Sequence, residues 1–143
     1  MKQVNPYYLS KILDPFAGMA DCDEEVIKYR SLDPNNEIKV KKVIEEILKP
    51  YFLGFDQNSQ EKIKLSLSYY LSKSSVNFGG IFDSLLPPFE SPDNPADFFI
   101  WAWEVFFPNE DYHLDDLDEY TESKDMYAPM RLKHISDEKP KEF

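Results

Sequence analysis

DNPADFFIWAWEVFFP, residues 93–108, holds ten residues, Phe98 to Phe107, that are apolar except for Glu104. Asp93 or Asn94 can cap a helix here, Pro95 suits its first turn, Asp97 lies near the positive end of its dipole, and Pro108 closes it. At 100° per residue, Phe99, Ala102, Trp103 and Phe106 fall on one side and Asp97, Ile100, Trp101 and Glu104 on the other. The first set predicts a core face. The second predicts a rim in which the Trp101 indole sits between two carboxylates. Ten apolar residues are far short of the ~20 that a membrane helix needs.

The surrounding chain also reads as helical. Four glycines and no Asn-Gly or Asp-Gly dipeptide leave it without the turn signals of a β protein. Short helices are expected over 6–13 and 23–29. A longer one is expected from Asp33-Pro34, with Val40, Val43, Ile44, Ile47, Leu48, Tyr51 and Phe52 on one face and charges of both signs on the other. Pro50 should kink or end it. Asn58 with Glu61 forms a capping pattern ahead of Ile63, Leu67, Tyr70 and Leu71, so these two helices predict an antiparallel hairpin. Residues 72–94 read as a loop around one helical turn at IFDSLL, and Leu114 with Leu117 suggests a last short helix. The expectation is an all-α bundle of five to six helices over residues 1–122, with 123–143 as a flexible extension.

At 143 residues the chain amounts to about one domain, and 42% hydrophobic content with 15% aromatics is too apolar for a disordered protein. Cys22 has no partner, and the first residues lack the apolar core of a secretory signal, so the expected compartment is the cytoplasm. The formal charge of −11 is unevenly placed: residues 1–80 carry 11 basic and 11 acidic side chains, residues 81–143 carry 5 and 16. No Lys or Arg occurs between Lys73 and Lys124. A field of that sign repels nucleic acid and anionic membrane and attracts a basic protein surface.

Catalytic patterns are missing from the sequence: there is no glycine-rich phosphate loop, G-x-S-x-G, CxxC or HExxH. Glu110 and His113 have the spacing of a di-metal ligand pair, but a second copy with further glutamates cannot be assembled from this sequence. Asp111, His113 and Asp115 alternate as in a calcium loop, yet Asp116 stands sixth, where the turn wants glycine. Asp97 with Glu104 as an acid–base pair is weaker than their reading as a helix-end residue and a surface residue. The sequence therefore predicts no enzyme, no cofactor and no metal.

Recognition remains. Interface hot spots are built from aromatics ringed by groups that exclude water. Here Trp101, Tyr112 and Tyr120 are interleaved with Asp97, Glu104, Glu110, Asp111, Asp115, Asp116 and Asp118, and these ten residues form the expected partner-binding surface. Unpaired like charges repel one another, so a one-sign surface points to a partner of opposite sign that gains steered association from it.

With FIWAWEVFFPNEDYHLDDLDEY at residues 99–120, the chain resembles bacterial immunity proteins of contact-dependent growth inhibition and nuclease-colicin systems: small, acidic, single-domain, with aromatics set among carboxylates. The resemblance covers residues 93–122. It implies a cognate toxin with a basic surface, in expectation a nuclease domain, that is masked stoichiometrically by anchors Trp101 and Tyr112 and by charge-assisted bonds from Asp111, Asp115, Asp116 and Asp118. The alternative expectation is an adaptor or regulatory subunit that holds a basic partner without inhibiting it.

Overall fold

The computed structural model describes residues 2–137. Among them, seven α-helices lie between two short strands: β1 (Lys2–Val4), α1 (Tyr7–Ile12), α2 (Asp23–Lys28), α3 (Glu37–Val43), α4 (Lys49–Leu53), α5 (Gln57–Ser72), α6 (Phe78–Asp83), α7 (Ala96–Phe106) and β2 (Tyr120–Glu122). The strands pair in parallel, with Lys2 opposite Tyr120, Gln3 opposite Thr121 and Val4 opposite Glu122. The fold is thus predominantly helical rather than all-α, and the helices all belong to the crossover that parallel pairing requires. No helix among the described residues is long and apolar enough to cross a membrane.

α7 is the axis of the core. Phe98, Phe99, Trp101, Ala102, Trp103 and Phe106 are all buried. A helix that is apolar nearly all round has to be enclosed on more than one side, and α3, α4, α5 and α6 all pack on it. Phe106 stacks on Phe52 at 4.7 Å between ring centroids, Phe99 meets Phe78 at 5.2 Å, and Phe98 meets Phe82 edge-on at 5.0 Å. Such aromatic pairs add about 0.5–1.5 kcal/mol each beyond their area. Instead of closing a direct hairpin, the segments before and after Gly54 both pack on α7.

Local chemistry shifts the expected boundaries. Asp33 accepts from the Asn35 N–H in a turn, and the α3 cap is Asn36, whose Oδ1 accepts from the Lys39 N–H at 3.1 Å. α5 is capped by Asp56, whose Oδ1 accepts from Ser59 N–H at 2.8 Å, two residues before the expected Asn58. Pro50 neither ends nor breaks its helix. The helical run continues through a π-helical turn at Ile44–Leu48 directly into α4, whose first turn holds Pro50. Buried Val40, Ile44, Leu48 and Phe52 are spaced by four. In a regular helix such a stripe drifts about 40° per step, and the wider π turn offsets part of that drift. At α7, no side chain caps the N-terminus, and the Asp97 N–H bonds the Asn94 carbonyl instead.

The boundary drawn at residue 123 does not mark a loss of contact. Ala128 and Leu132 are buried, and Phe55 and His134 form an isolated antiparallel bridge. The His134 ring stacks on Tyr51 at 4.4 Å and donates from Nε2 to the Tyr51 carbonyl at 2.7 Å. Gly54 makes the approach possible, since a Cβ there would lie 2.5 Å from His134 Nε2. The rest of the expected extension, residues 138–143, lies outside the described residues.

Candidate functional site: a pinned acidic loop

After α7 the chain reverses at Pro108-Asn109. Asn109 takes a left-handed conformation (φ 69°), which asparagine tolerates better than most residues, and the Glu110 N–H bonds the Phe107 carbonyl at 3.1 Å. Residues 110–116 then run without helix or strand, and a single 3-10 turn follows at Leu117–Glu119. The short helix expected around Leu114 and Leu117 is therefore reduced to that turn, although both leucines do pack against the core. Asp111, Asp115, Asp116, Asp118 and Glu119 all face solvent.

The loop is held from behind. Trp103 Nε1–H donates to the Glu110 carbonyl at 2.8 Å. The hydroxyls of Ser68 and Ser72 both donate to the Tyr112 carbonyl, the second at 3.2 Å, and Ser72 Oγ accepts from the Leu114 N–H at 2.9 Å. Within the loop, Asp111 accepts from the His113 N–H at 3.0 Å, and His113 Nε2 lies 2.8 Å from Asp115 Oδ1. Tyr112 is half-buried, edge-on to Trp103 at 6.4 Å.

The serines of α5 were not singled out in the sequence, yet they organise this end of the molecule. Ser68 and Ser72, one turn apart, hold the loop. Ser59 and Ser66, seven apart and so on another common face, accept from the backbone N–H groups of Lys133 and Asn5 at 2.9 and 3.0 Å. The signal was present in LSLSYYLS, residues 65–72, because serines inside an apolar helical run are disfavoured unless their hydroxyls bond something.

The ten expected partner-binding residues do not form one surface. Trp101 and Tyr120 are buried, at 8% and 7% exposure, and so cannot anchor a partner. For Trp101 the reason is α3, which packs on α7 and carries Lys41, whose Nζ lies 3.2 Å from Glu104 one turn beyond the indole. Tyr120 is enclosed as the first residue of β2, with its ring 5.4 Å from Tyr69. Asp97 is half-buried at the start of α7, about 14 Å of helix rise from the loop.

Three acids of the cation-free span find lysines from the earlier part of the chain. Glu104 pairs with Lys41, Glu110 with Lys64 at 2.7 Å, and Glu122 with Lys73 at 3.0 Å. Lys41 is raised above the ordinary lysine range, first by its bond to Glu37 and further by Glu104. Glu122 is held below the ordinary carboxylate range by Lys73 first and then by the Tyr70 hydroxyl, which donates to it at 2.9 Å. Burial, then Glu122, in turn pushes the Tyr70 phenol up. Glu122 stands twelfth from Asp111, where a calcium loop closes, but its carboxylate is already engaged. Glu110 and His113 share no helical face and turn to Lys64 and Asp115. Among the described residues no group of three or more metal-ligating side chains comes together.

Of the expected set, Asp111, Tyr112, Asp115, Asp116 and Asp118 remain together on the loop, with Glu110 at its start. Neither family models, nor curated proteins, nor solved structures give a match to this chain.

Proposed function

We propose that this chain is a stoichiometric binding protein that uses the loop 110–119 to hold a basic protein, and that the partner is a toxin domain, in first expectation a nuclease, which it neutralises as the resembled immunity proteins do. The observation that carries the reading is the presentation of the loop: Asp111, Asp115 and Asp116 on irregular backbone and Asp118 and Glu119 on the following 3-10 turn all face solvent, and hydrogen bonds from Trp103, Ser68 and Ser72 fix the loop at Glu110, Tyr112 and Leu114. Among the described residues, no Lys or Arg is in ion-pair contact with Asp111, Asp116, Asp118 or Glu119, and Asp115 meets only His113. A pinned loop loses less conformational freedom on binding than a free one. Its charge steers a basic partner and competes with a phosphate backbone for the partner's Lys and Arg side chains. The contact surface is smaller than the sequence implied: Tyr112 is its one aromatic from the expected set, and Glu104 serves the fold.

The test is the triple substitution Asp115→Asn, Asp116→Asn and Asp118→Asn, measured against a candidate basic toxin domain by stopped flow at several salt concentrations. The expected result is an association rate about tenfold or more lower at low salt, with a flatter salt dependence. An unchanged rate and slope refutes the loop as the docking element. Binding that leaves the toxin active replaces the immunity reading with the adaptor.

A further inference from the structure

Beside the acidic loop lies a cleft of about 580 Å³, walled by Leu65, Leu114, Trp103 and Tyr120, with Lys2, Lys62 and Lys64 on its lining. The charge of Lys64 is answered by Glu110, and its amine sits over the Phe107 ring at 4.9 Å. Lys2 and Lys62 have no carboxylate in ion-pair contact among the described residues, and the Lys2 amine rests over Tyr120 at 5.6 Å. Glu61, Glu110 and Asp111 line the same cleft, so its three lysines and three acids balance, and only Lys64 among the lysines is in ion-pair contact with an acid among the described residues. Two cations without acidic partners and an apolar floor therefore adjoin a surface that is otherwise strongly anionic. A partner's carboxylate, repelled by the loop, meets two amines here that hold no acid.

We propose that this cleft reads a carboxylate within the partner's basic surface: a partner segment whose Asp or Glu, next to an apolar side chain, seats between Lys2 and Lys62 while flanking Lys or Arg residues meet Asp111, Asp115 and Asp116. The inference rests on the loop as the docking element and adds what the loop lacks. Long-range attraction accelerates encounter with any cationic surface, whereas a like charge placed at one position rejects most of them. The volume lies within the range of ligand-binding clefts, and the Leu65, Leu114 and Trp103 walls offer an apolar neighbour to a side chain seated beside the lysines.

A random peptide display library panned on the full chain tests the idea. The wild type is expected to enrich peptides with basic positions around one acidic residue that adjoins an apolar one. The Lys2→Glu, Lys62→Glu double variant, altered only at exposed positions and checked for folding by circular dichroism, is expected to enrich Lys or Arg at that position instead. For a synthetic peptide of the wild-type consensus, the double variant lowers affinity about tenfold or more, and exchanging the peptide's acid for Lys restores binding to the variant. Enrichment of purely basic peptides, or equal affinity for both proteins, overturns the cleft and leaves the loop standing. Peptides without basic positions, or no enrichment at all, overturn both.

Discussion

The rigidity of the acidic loop depends on two hydroxyls, and the double variant Ser68→Ala, Ser72→Ala measures how much. It removes three hydrogen bonds: two to the Tyr112 carbonyl and one from the Leu114 N–H. Each contributes about 1 kcal/mol net, so up to about 3 kcal/mol of local holding is lost. At tenfold per 1.4 kcal/mol, the Leu114 amide should exchange about 100-fold faster with solvent deuterium. Ser72→Ala alone removes two of the bonds and should give about 30-fold. Trp103 still ties Glu110, and Leu114 and Leu117 still pack, so the opening stays local and the α5 core amides around Leu67 keep their protection. Hydrogen exchange read by NMR resolves both. Exchange at Leu114 within twofold of wild type in the double variant would refute the serine anchoring and, with it, the loop's preorganisation.

Three further outcomes follow from the packing. Glu122→Gln destabilises the protein at neutral pH. Because the folded carboxyl lies below its ordinary value, the contribution is complete above the unfolded value near pH 4.3 and fades as pH falls through the depressed one. The difference between wild-type and variant melting temperatures should therefore shrink towards zero in acid, and a constant offset would count against the Lys73 pairing. Gly54→Ala forces His134 away from the Tyr51 carbonyl, so tryptic cleavage after Arg131 and Lys133 should accelerate while cleavage after Lys62 and Lys64 in α5 stays slow; wild-type cleavage rates would mean that the bridge is not what holds this segment. Phe99→Ala, at a fully buried position, should cost about 3–5 kcal/mol by denaturant titration, and a loss below about 1 kcal/mol would contradict α7 as the core axis.

The helical content was legible where apolar residues recur over long enough spans: α7, α5 and the run from α3 into α4 each carry a stripe that only a helix satisfies. Exact starts were less legible because competing caps stand close together, Asp33 near Asn36 and Asp56 near Asn58. The parallel strands were not legible at all, since three residues carry no measurable alternation. Charge spacing along the chain does not map onto charge spacing in the fold. Counting along the chain finds no cation for fifty residues, but Lys41–Glu104, Lys64–Glu110 and Lys73–Glu122 close over separations that such a count cannot see. What survived of the candidate site is the part whose carboxylates make no ion pair with a lysine or arginine among the described residues. Trp101 was misplaced because a helical wheel assigns opposite sides but not how many neighbours enclose a helix.

The pairing of Val4 with Glu122 sets a timetable for biogenesis. Emerging at about 5–20 residues per second, the first strand leaves the ribosome roughly 6–24 seconds before the strand it must join. Throughout that interval Val4, fully covered in the finished molecule, lacks the neighbour that completes its shelter. Strand pairing is then a ring closure at long sequence separation, slow by the same entropy that makes non-local contacts slow in general, and nascent chains stalled before residue 120 leave β1 unpaired and open to chaperones and proteases.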